Sequence, residues 1–138
     1  MLRQVEALAR SGGRIDVATV AADGTPHVAT ASRLTCRGDR HMDVVAWFCP
    51  TTTANLWTNS HIAVVVRAQE TGKGYQLLGH VEGIAEEAML DGYAPQFEAG
   101  PPTAQAQREL RVAVERVLEF MPTHHADREL ARIEAEAG

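Results

Sequence analysis

Residues 49–55 of this chain place three hydroxyl groups at the expected start of a helix. They read Cys-Pro-Thr-Thr-Thr-Ala-Asn, with a short helix predicted over Ala54 to Thr58. A helix N-terminus presents unpaired N–H groups and the positive end of the helix dipole, so this junction is suited to an anion such as phosphate. Threonines also precede helices simply as N-caps. On spacing alone, the N-cap interpretation is favoured.

The other reactive side chains are scattered. The histidines stand at 27, 41, 61, 80, 124 and 125, and the last two are adjacent, so their side chains diverge; surface positions are favoured over a metal site. The two cysteines show neither a disulfide framework nor a metal-ligand spacing. For Cys49, a buried structural thiol is favoured over a nucleophile.

The remaining candidate residues are best interpreted as structural. Trp47 and Trp57 are interpreted as core residues rather than cofactor stackers, with Trp47 the better neighbour for a ring. The acidic residues after position 81 are interpreted as a solvated face: Glu82, Glu86 and Glu87. No spacing supports a Ser-His-Asp or paired-carboxylate arrangement, so no catalytic residue and no metal ligand is assigned.

Composition predicts one soluble domain over 1–138. The chain has 138 residues, 45% of them hydrophobic and 22% charged, which suffices for one buried core. A net charge of -5 and 5% aromatic residues disfavour nucleic acid as a partner. The apolar runs, such as 62–66, are too short to cross a bilayer, and residues 1–10 do not resemble a signal peptide. A cytoplasmic protein is expected.

Turn signals divide the chain into short strands. Strands are predicted over 15–21, 27–36, 43–49, 62–68 and 75–84, with a hairpin turn at Asp23-Gly24 and bends or bulges at Gly79 and Gly83. The segment 111–120 fits a strand or a helix. Further helices are predicted over 2–9 and 86–97 and in a C-terminal tail, 126–137. The expected fold is mainly β, a six-stranded antiparallel barrel with a few flanking helices.

Three stretches in the right order carry a resemblance to a known family. They are Asp-Val-Ala-Thr-Val-Ala-Ala-Asp-Gly-Thr-Pro-His-Val at 16–28, Thr-Thr-Thr-Ala-Asn-Leu-Trp-Thr-Asn-Ser-His-Ile-Ala-Val at 51–64, and Gly-Tyr-Gln-Leu-Leu-Gly-His-Val-Glu at 74–82. They resemble FMN-binding split barrels, which include the pyridoxamine 5'-phosphate oxidase-like proteins and the small bacterial FMN-binding proteins. The resemblance spans roughly residues 14 to 87 and implies a split β-barrel that binds FMN.

The resemblance also implies where the cofactor would lie. The flavin ring and ribityl chain would run along the second strand at Thr30, Ala31 and Ser32, with the third strand ending beside the ring at Trp47, Phe48 and Cys49. The phosphate would be surrounded by four residues of the helix start: Thr51, Thr52, Thr53 and Asn55. Gln76 would reach the ring from the fifth strand, from a partner subunit in one arrangement. The family arrangement is a homodimer with two equivalent sites at the subunit interface.

One departure from the family pattern concerns charge. Relatives place Lys or Arg at or beside the positions of Thr51 and Thr52, and a basic residue near Ala29, where this chain is neutral. A phosphate here loses charge-assisted hydrogen bonds of about 1.5–3 kcal/mol each, for which Arg33 or a partner-chain arginine would have to compensate.

The expected function is an FMN-dependent oxidoreductase that acts on a small molecule. Two alternatives stay open. One is a non-enzymatic flavin-binding or electron-transfer module, and the other is a barrel that uses haem or a deazaflavin instead.

Overall fold

The computed structural model describes residues 1–86, 106–124 and 126–134, which form two helices and eight strands. The helices are α1 (Leu2–Arg10) and α2 (Pro50–Thr58). The strands are β1 (Arg14–Val20), β2 (Pro26–Ala31), β3 (Arg33–Arg37), β4 (His41–Phe48), β5 (His61–Arg67), β6 (Gly74–Glu86), β7 (Ala106–Phe120) and β8 (Glu129–Arg132).

The first hairpin forms as predicted. β1 and β2 pair antiparallel across a turn in which Gly24 has φ +91°, a conformation that glycine adopts without strain. Side chains alternate along β1, so Ile15, Val17 and Thr19 are buried while their neighbours are half-buried or exposed. The inward face of β1 therefore sets which residues of β2 point into the barrel.

The predicted strand 27–36 is split in two at Ser32. The sheet order is β2-β1-β5-β6-β7-β4-β3, with β2 paired to β1 and β3 paired to β4. At the break, the Ser32 N–H and hydroxyl both donate to the Val45 carbonyl, each at 2.9 Å. Because β2 and β3 are consecutive, the open sheet curls until its two edge strands meet at Ser32. This is the antiparallel split barrel that the sequence predicts.

The segment 111–120, whose sequence fits a strand or a helix, is part of strand β7. Leu110, Val112 and Val114 are buried at a spacing of two, between β4 on one side and β6 on the other. Gly79 of β6 lies at a register shift, where a Cβ would stand 2.1 Å from the Ala113 carbonyl oxygen. A second shift lies at Gly83, so both predicted bulges are confirmed.

The expected helical tail is wrong where the structure describes it. Residues 129–132 form β8, which pairs with β7 beyond the end of β4. The backbone N–H and C=O groups on this part of β7 are not paired with β4, so they can form sheet hydrogen bonds with the tail. Leu130 and Ala131 also pack against the core. With the split at Ser32, β8 raises the strand count from six to eight. The predicted helix 86–97 lies outside the described residues, apart from Glu86, which ends β6.

The two helices cover opposite ends of the barrel. α1 contributes the buried residues Leu2 and Val5 at the end where β1 begins. α2 follows β4 and packs at the end where β1 finishes, with Leu56 in the core. Among the described residues, no helix is long and apolar enough to cross a membrane.

Candidate functional site

The N-terminus of α2 lies directly at the end of β4. Pro50 occupies the first turn, which extends the helix four residues before the predicted start at Ala54 and is favoured because proline has no N–H to leave unpaired. Cys49 is the N-cap residue, but no side-chain hydrogen bond caps the helix. The first N–H groups, those of Thr51 and Thr52, have no acceptor within the helix. This end of α2 thus keeps donors that an anion can use.

The candidate phosphate residues of α2 differ in how deeply they are buried. Thr52 and Asn55 are buried, and Asn55 Nδ2 donates to the buried Thr19 hydroxyl at 3.1 Å. Thr51 is exposed and Thr53 is half-buried. The buried pair therefore anchors the helix to β1 through Asn55, while Thr51 is open to solvent and Thr53 is partly so.

A small polar cluster closes this end of the barrel. The Cys49 sulfur lies 3.6 Å from the Thr52 hydroxyl and 3.8 Å from His27 Nε2, and the Thr52 hydroxyl lies 3.5 Å from His27 Nδ1. His27 pairs with Thr19 in the hairpin register and so points inward with it. Sequence reasoning missed His27, although the buried alternation of β1 and the tight hairpin together indicate its orientation.

The Cys49 thiol has an unusual electrostatic setting. Burial raises its pKa and is the largest single influence, but the N–H groups of Thr52 and Thr51 and the Thr52 hydroxyl together hold the pKa below the ordinary thiol value. These N–H groups favour a negative charge on the sulfur, although no side-chain hydrogen bond caps the helix. The sequence interpretation of Cys49 as a structural thiol did not anticipate this polar surrounding.

The second-strand candidates face different ways. Thr30 is exposed and points outward, whereas Ala31 is half-buried, pairs with the buried Ile15 and packs against the core. Ser32 is held by Val45 at the split. A ligand lying along this strand would meet them mainly through their backbone groups.

The remaining candidates lie on β4 and β6. Trp47 has 60% of its surface exposed and Trp57 has 80%, so both core interpretations are wrong. Phe48 is the last residue of β4. Gln76 pairs with Val65 and Leu118 and lies on the opposite face of β6 from the fully buried Leu77. The chain therefore brings Trp47, Phe48 and Cys49 to the start of α2 and leaves Gln76 on the outer sheet face.

A second polar region lies on the outer face where β4, β7 and β6 run side by side. His41 Nε2 lies 2.6 Å from Glu82 Oε1, and His80 Nδ1 lies 2.7 Å from Glu115 Oε1. Both histidines pair with Ala113 in the sheet register, and they flank a cleft of about 170 Å³. Within the described ranges, no group of three His, Cys, Asp or Glu side chains has a geometry that could hold a metal ion.

No protein-family model and no curated protein match this sequence. Solved structures do. HupZ of Group A Streptococcus matches with a TM-score of 0.63 at 21% identity, over 91% of this chain and 98% of that one. An F420 Reductase matches with a TM-score of 0.59 at 19% identity, over 81% of this chain and 94% of that one. A pyridoxamine 5'-phosphate oxidase-related, FMN binding protein from Nostoc punctiforme matches with a TM-score of 0.58 at 11% identity. The match covers 87% of this chain and 81% of that one.

These similarities establish the fold. The chain adopts the split barrel of pyridoxamine 5'-phosphate oxidase-like and FMN-binding proteins, so the resemblance carried by residues 14 to 87 is confirmed at that level. At such identities, ligand and activity do not follow from the fold.

Proposed function

We propose that this protein binds FMN at the start of α2 and acts as a flavin-dependent oxidoreductase on a small molecule. The uncapped N-terminus of α2, at the end of a barrel strand, carries the proposal. A helix N-terminus with free N–H groups is a general phosphate-binding arrangement. The similarity to an FMN binding protein of the same fold supports FMN as the ligand that presents this phosphate.

The residues at this end fit a phosphate through neutral donors. The N–H groups of Thr51 and Thr52 and the hydroxyls of Thr51 and Thr53 would hold it, since residues 47–60 contain no Lys or Arg. The side chains of Thr52 and Asn55, being buried, would position the helix from inside rather than contact the ligand.

The flavin itself would lie against the ends of β2 and β4. The exposed indole of Trp47 offers an apolar surface beside the ring, with Phe48 and Cys49 next to it in the chain, and the backbone of Thr30, Ala31 and Ser32 offers hydrogen-bonding groups. When bound, the flavin supplies the electron-transfer chemistry, and the chain supplies binding and orientation.

A second copy of the chain would complete the site, as in the homodimers of the resembled family. The outer face of β5 and β6 carries half-buried, largely apolar side chains, namely Ala63, Val65, Gln76 and Leu78. A twofold dimer through this face would bury them and bring Gln76 of one copy toward the flavin of the other. Light scattering during size-exclusion chromatography is expected to give twice the mass of one chain, and a single-chain mass would contradict the dimer.

The similarity to an F420 Reductase favours a second candidate ligand, a deazaflavin. Both cofactors carry phosphate, so the start of α2 serves either. Parallel titrations with FMN and a deazaflavin distinguish them, because the preferred cofactor saturates at the lower concentration.

The visible spectrum of the purified protein tests flavin binding. We expect flavin absorbance bands that acid releases, or quenching of FMN fluorescence on titration of a colourless preparation. A protein that neither carries flavin nor changes FMN fluorescence would contradict the proposal. Reduction of the bound flavin by a nicotinamide donor, with turnover on added acceptors, supports the enzyme; binding without turnover leaves the electron-carrier alternative.

A further inference from the structure

The two cysteines of this chain lie in contrasting surroundings. Cys36 lies within β3 and packs against the hydrophobic core. Cys49 lies between β4 and α2, half-buried, with a histidine ring and a threonine hydroxyl next to its sulfur. A thiol kept only for packing is expected to have apolar neighbours, as Cys36 does.

The histidine is placed to take the thiol proton. His27 Nε2 is 3.8 Å from the Cys49 sulfur, and its other ring nitrogen, Nδ1, is 3.5 Å from the Thr52 hydroxyl. Thr52 is almost completely buried and touches both partners, so it fixes the ring and the sulfur relative to each other. A thiol with an adjacent base that a third group orients is the arrangement that activates a nucleophilic cysteine.

The backbone adds to this activation. Cys49 is the N-cap of a nine-residue helix, so its sulfur lies beside the positive end of the α2 dipole. The N–H groups of Thr52 and Thr51 favour the thiolate, and the net effect lowers the pKa of Cys49 even though burial opposes it. The position at the helix start, the neighbouring His27 and the backbone N–H groups therefore all favour the thiolate form of Cys49.

We propose that Cys49 is a modification site at which the thiolate reacts with hydroperoxides, with His27 as the proton acceptor. His27 Nε2 takes the proton from the thiol, and the sulfur attacks one peroxide oxygen. An S–O bond forms as the O–O bond breaks, so sulfur is oxidised by two electrons and the peroxide is reduced. The leaving hydroxide or alkoxide takes a proton from the imidazolium, which leaves a sulfenic acid and water or an alcohol.

This inference goes beyond the proposed flavin function and does not depend on it. The reaction uses only Cys49, His27, Thr52 and the peroxide. Measuring it without added flavin keeps its outcome separate from that of the flavin titration.

Alkylation by iodoacetamide compares the two thiols within one molecule. Peptide mass spectrometry gives the modification rate of Cys49 and of Cys36 across a pH series. We expect Cys49 to react about tenfold faster at pH 7 and its rate to rise at lower pH than that of Cys36. Equal rates, or a faster Cys36 in the folded protein, would overturn the proposal.

Two substitutions test the neighbours. His27→Gln and Thr52→Val are each expected to slow Cys49 alkylation several-fold at pH 7, whereas His124→Gln, at an exposed position, leaves the rate unchanged. Cys36 reports folding in every sample, because unfolding would expose it and raise its rate. If both variants stay folded by this measure and keep the wild-type Cys49 rate, the proposed activation is wrong.

Dimedone labelling after treatment with hydrogen peroxide tests the oxidation itself. We expect a dimedone adduct on Cys49 and none on Cys36, and a reductant such as dithiothreitol added before dimedone should abolish it. Absence of the adduct on Cys49 at peroxide concentrations that label a free thiol peptide would contradict the assignment.

Discussion

The two polar regions of this barrel use their side chains in opposite ways. At the end covered by α2, neutral side chains bind one another inside, as Asn55 does with Thr19, while no side-chain hydrogen bond caps the N–H groups at the start of the helix. On the outer face, the histidines of the cleft are already paired, His41 with Glu82 and His80 with Glu115. The region with fewer charges is therefore the one with donors to spare.

This difference shows why charge is a poor guide to the site. A paired carboxylate and imidazole satisfy each other, and a ligand would have to replace that pairing. The N–H groups at an uncapped helix N-terminus are already oriented, and no ion pair has to be broken before a ligand can use them. The missing lysines and arginines near Thr51 and Thr52 thus do not exclude an anion, and they lead us to expect moderate rather than tight binding.

The largest expected effect comes from breaking the buried side of α2. Asn55→Ala leaves the Thr19 hydroxyl buried without a partner and removes packing volume, so the free energy of unfolding should fall by about 2 to 3 kcal/mol. Glu82→Gln is the matched change in the cleft and should lower it by less than about 1 kcal/mol, since the pair is partly exposed. Urea denaturation measures both, and a smaller loss for Asn55→Ala than for Glu82→Gln would contradict the comparison.

A smaller effect should link ligand binding to Cys49. A phosphate at the start of α2 uses the same N–H groups that favour the thiolate, so saturating FMN is expected to slow Cys49 alkylation several-fold. Riboflavin, which lacks the phosphate, should protect less at equal occupancy. Equal protection by both at matched occupancy would place the phosphate away from the start of α2.

The smallest expected effect concerns the edge of the sheet. Hydrogen bonds from Arg116 and then Arg132 lower the pKa of Glu129, which joins β8 to β7. A lowered carboxyl pKa contributes stability that is complete above the unfolded value and is lost as the pH falls through the folded one. Hydrogen exchange of the β8 amides should therefore speed up, relative to the core, as the pH falls through the acidic range.

Glu129→Gln provides the control for this edge effect. The variant should show faster β8 exchange at neutral pH and lose the acid-dependent part of the change. Glu134→Gln alters an exposed carboxylate just beyond β8 and should leave that pattern intact. A Glu129→Gln variant that keeps the wild-type acid dependence would show that other groups hold β8.

Local signals predicted much of the fold. The turn at Gly24 and the bulges at Gly79 and Gly83 follow from glycine's conformational freedom and small size, so they were readable from single residues. The tail could not be read in this way. Residues 129–132 carry helix formers, yet they form β8 because β7 offers an open edge there, which only the assembled sheet reveals.

The helix start that carries the candidate site was predicted, but the orientation of its side chains was not. The run Thr51 to Thr53 and Asn55 were placed at a helix start, and the structure confirms that start, although from Pro50. Which side chains of α2 face the core depends on how the helix is oriented about its axis against β1. The burial of Thr52 and Asn55 therefore did not follow from spacing. His27 was overlooked for a related reason, because its role depends on contacts 22 and 25 residues away in the chain.

The ratio of FMN to riboflavin affinity tests the central claim most directly. Fluorescence titrations of the wild-type chain should give FMN at least about tenfold tighter than riboflavin, because only FMN offers a phosphate to the start of α2. A Thr51→Ala/Thr53→Ala double variant should reduce that ratio several-fold, while Thr58→Ala at the other end of α2 should preserve it. Equal affinities for the two flavins in the wild-type chain, or no binding of either, would contradict the account.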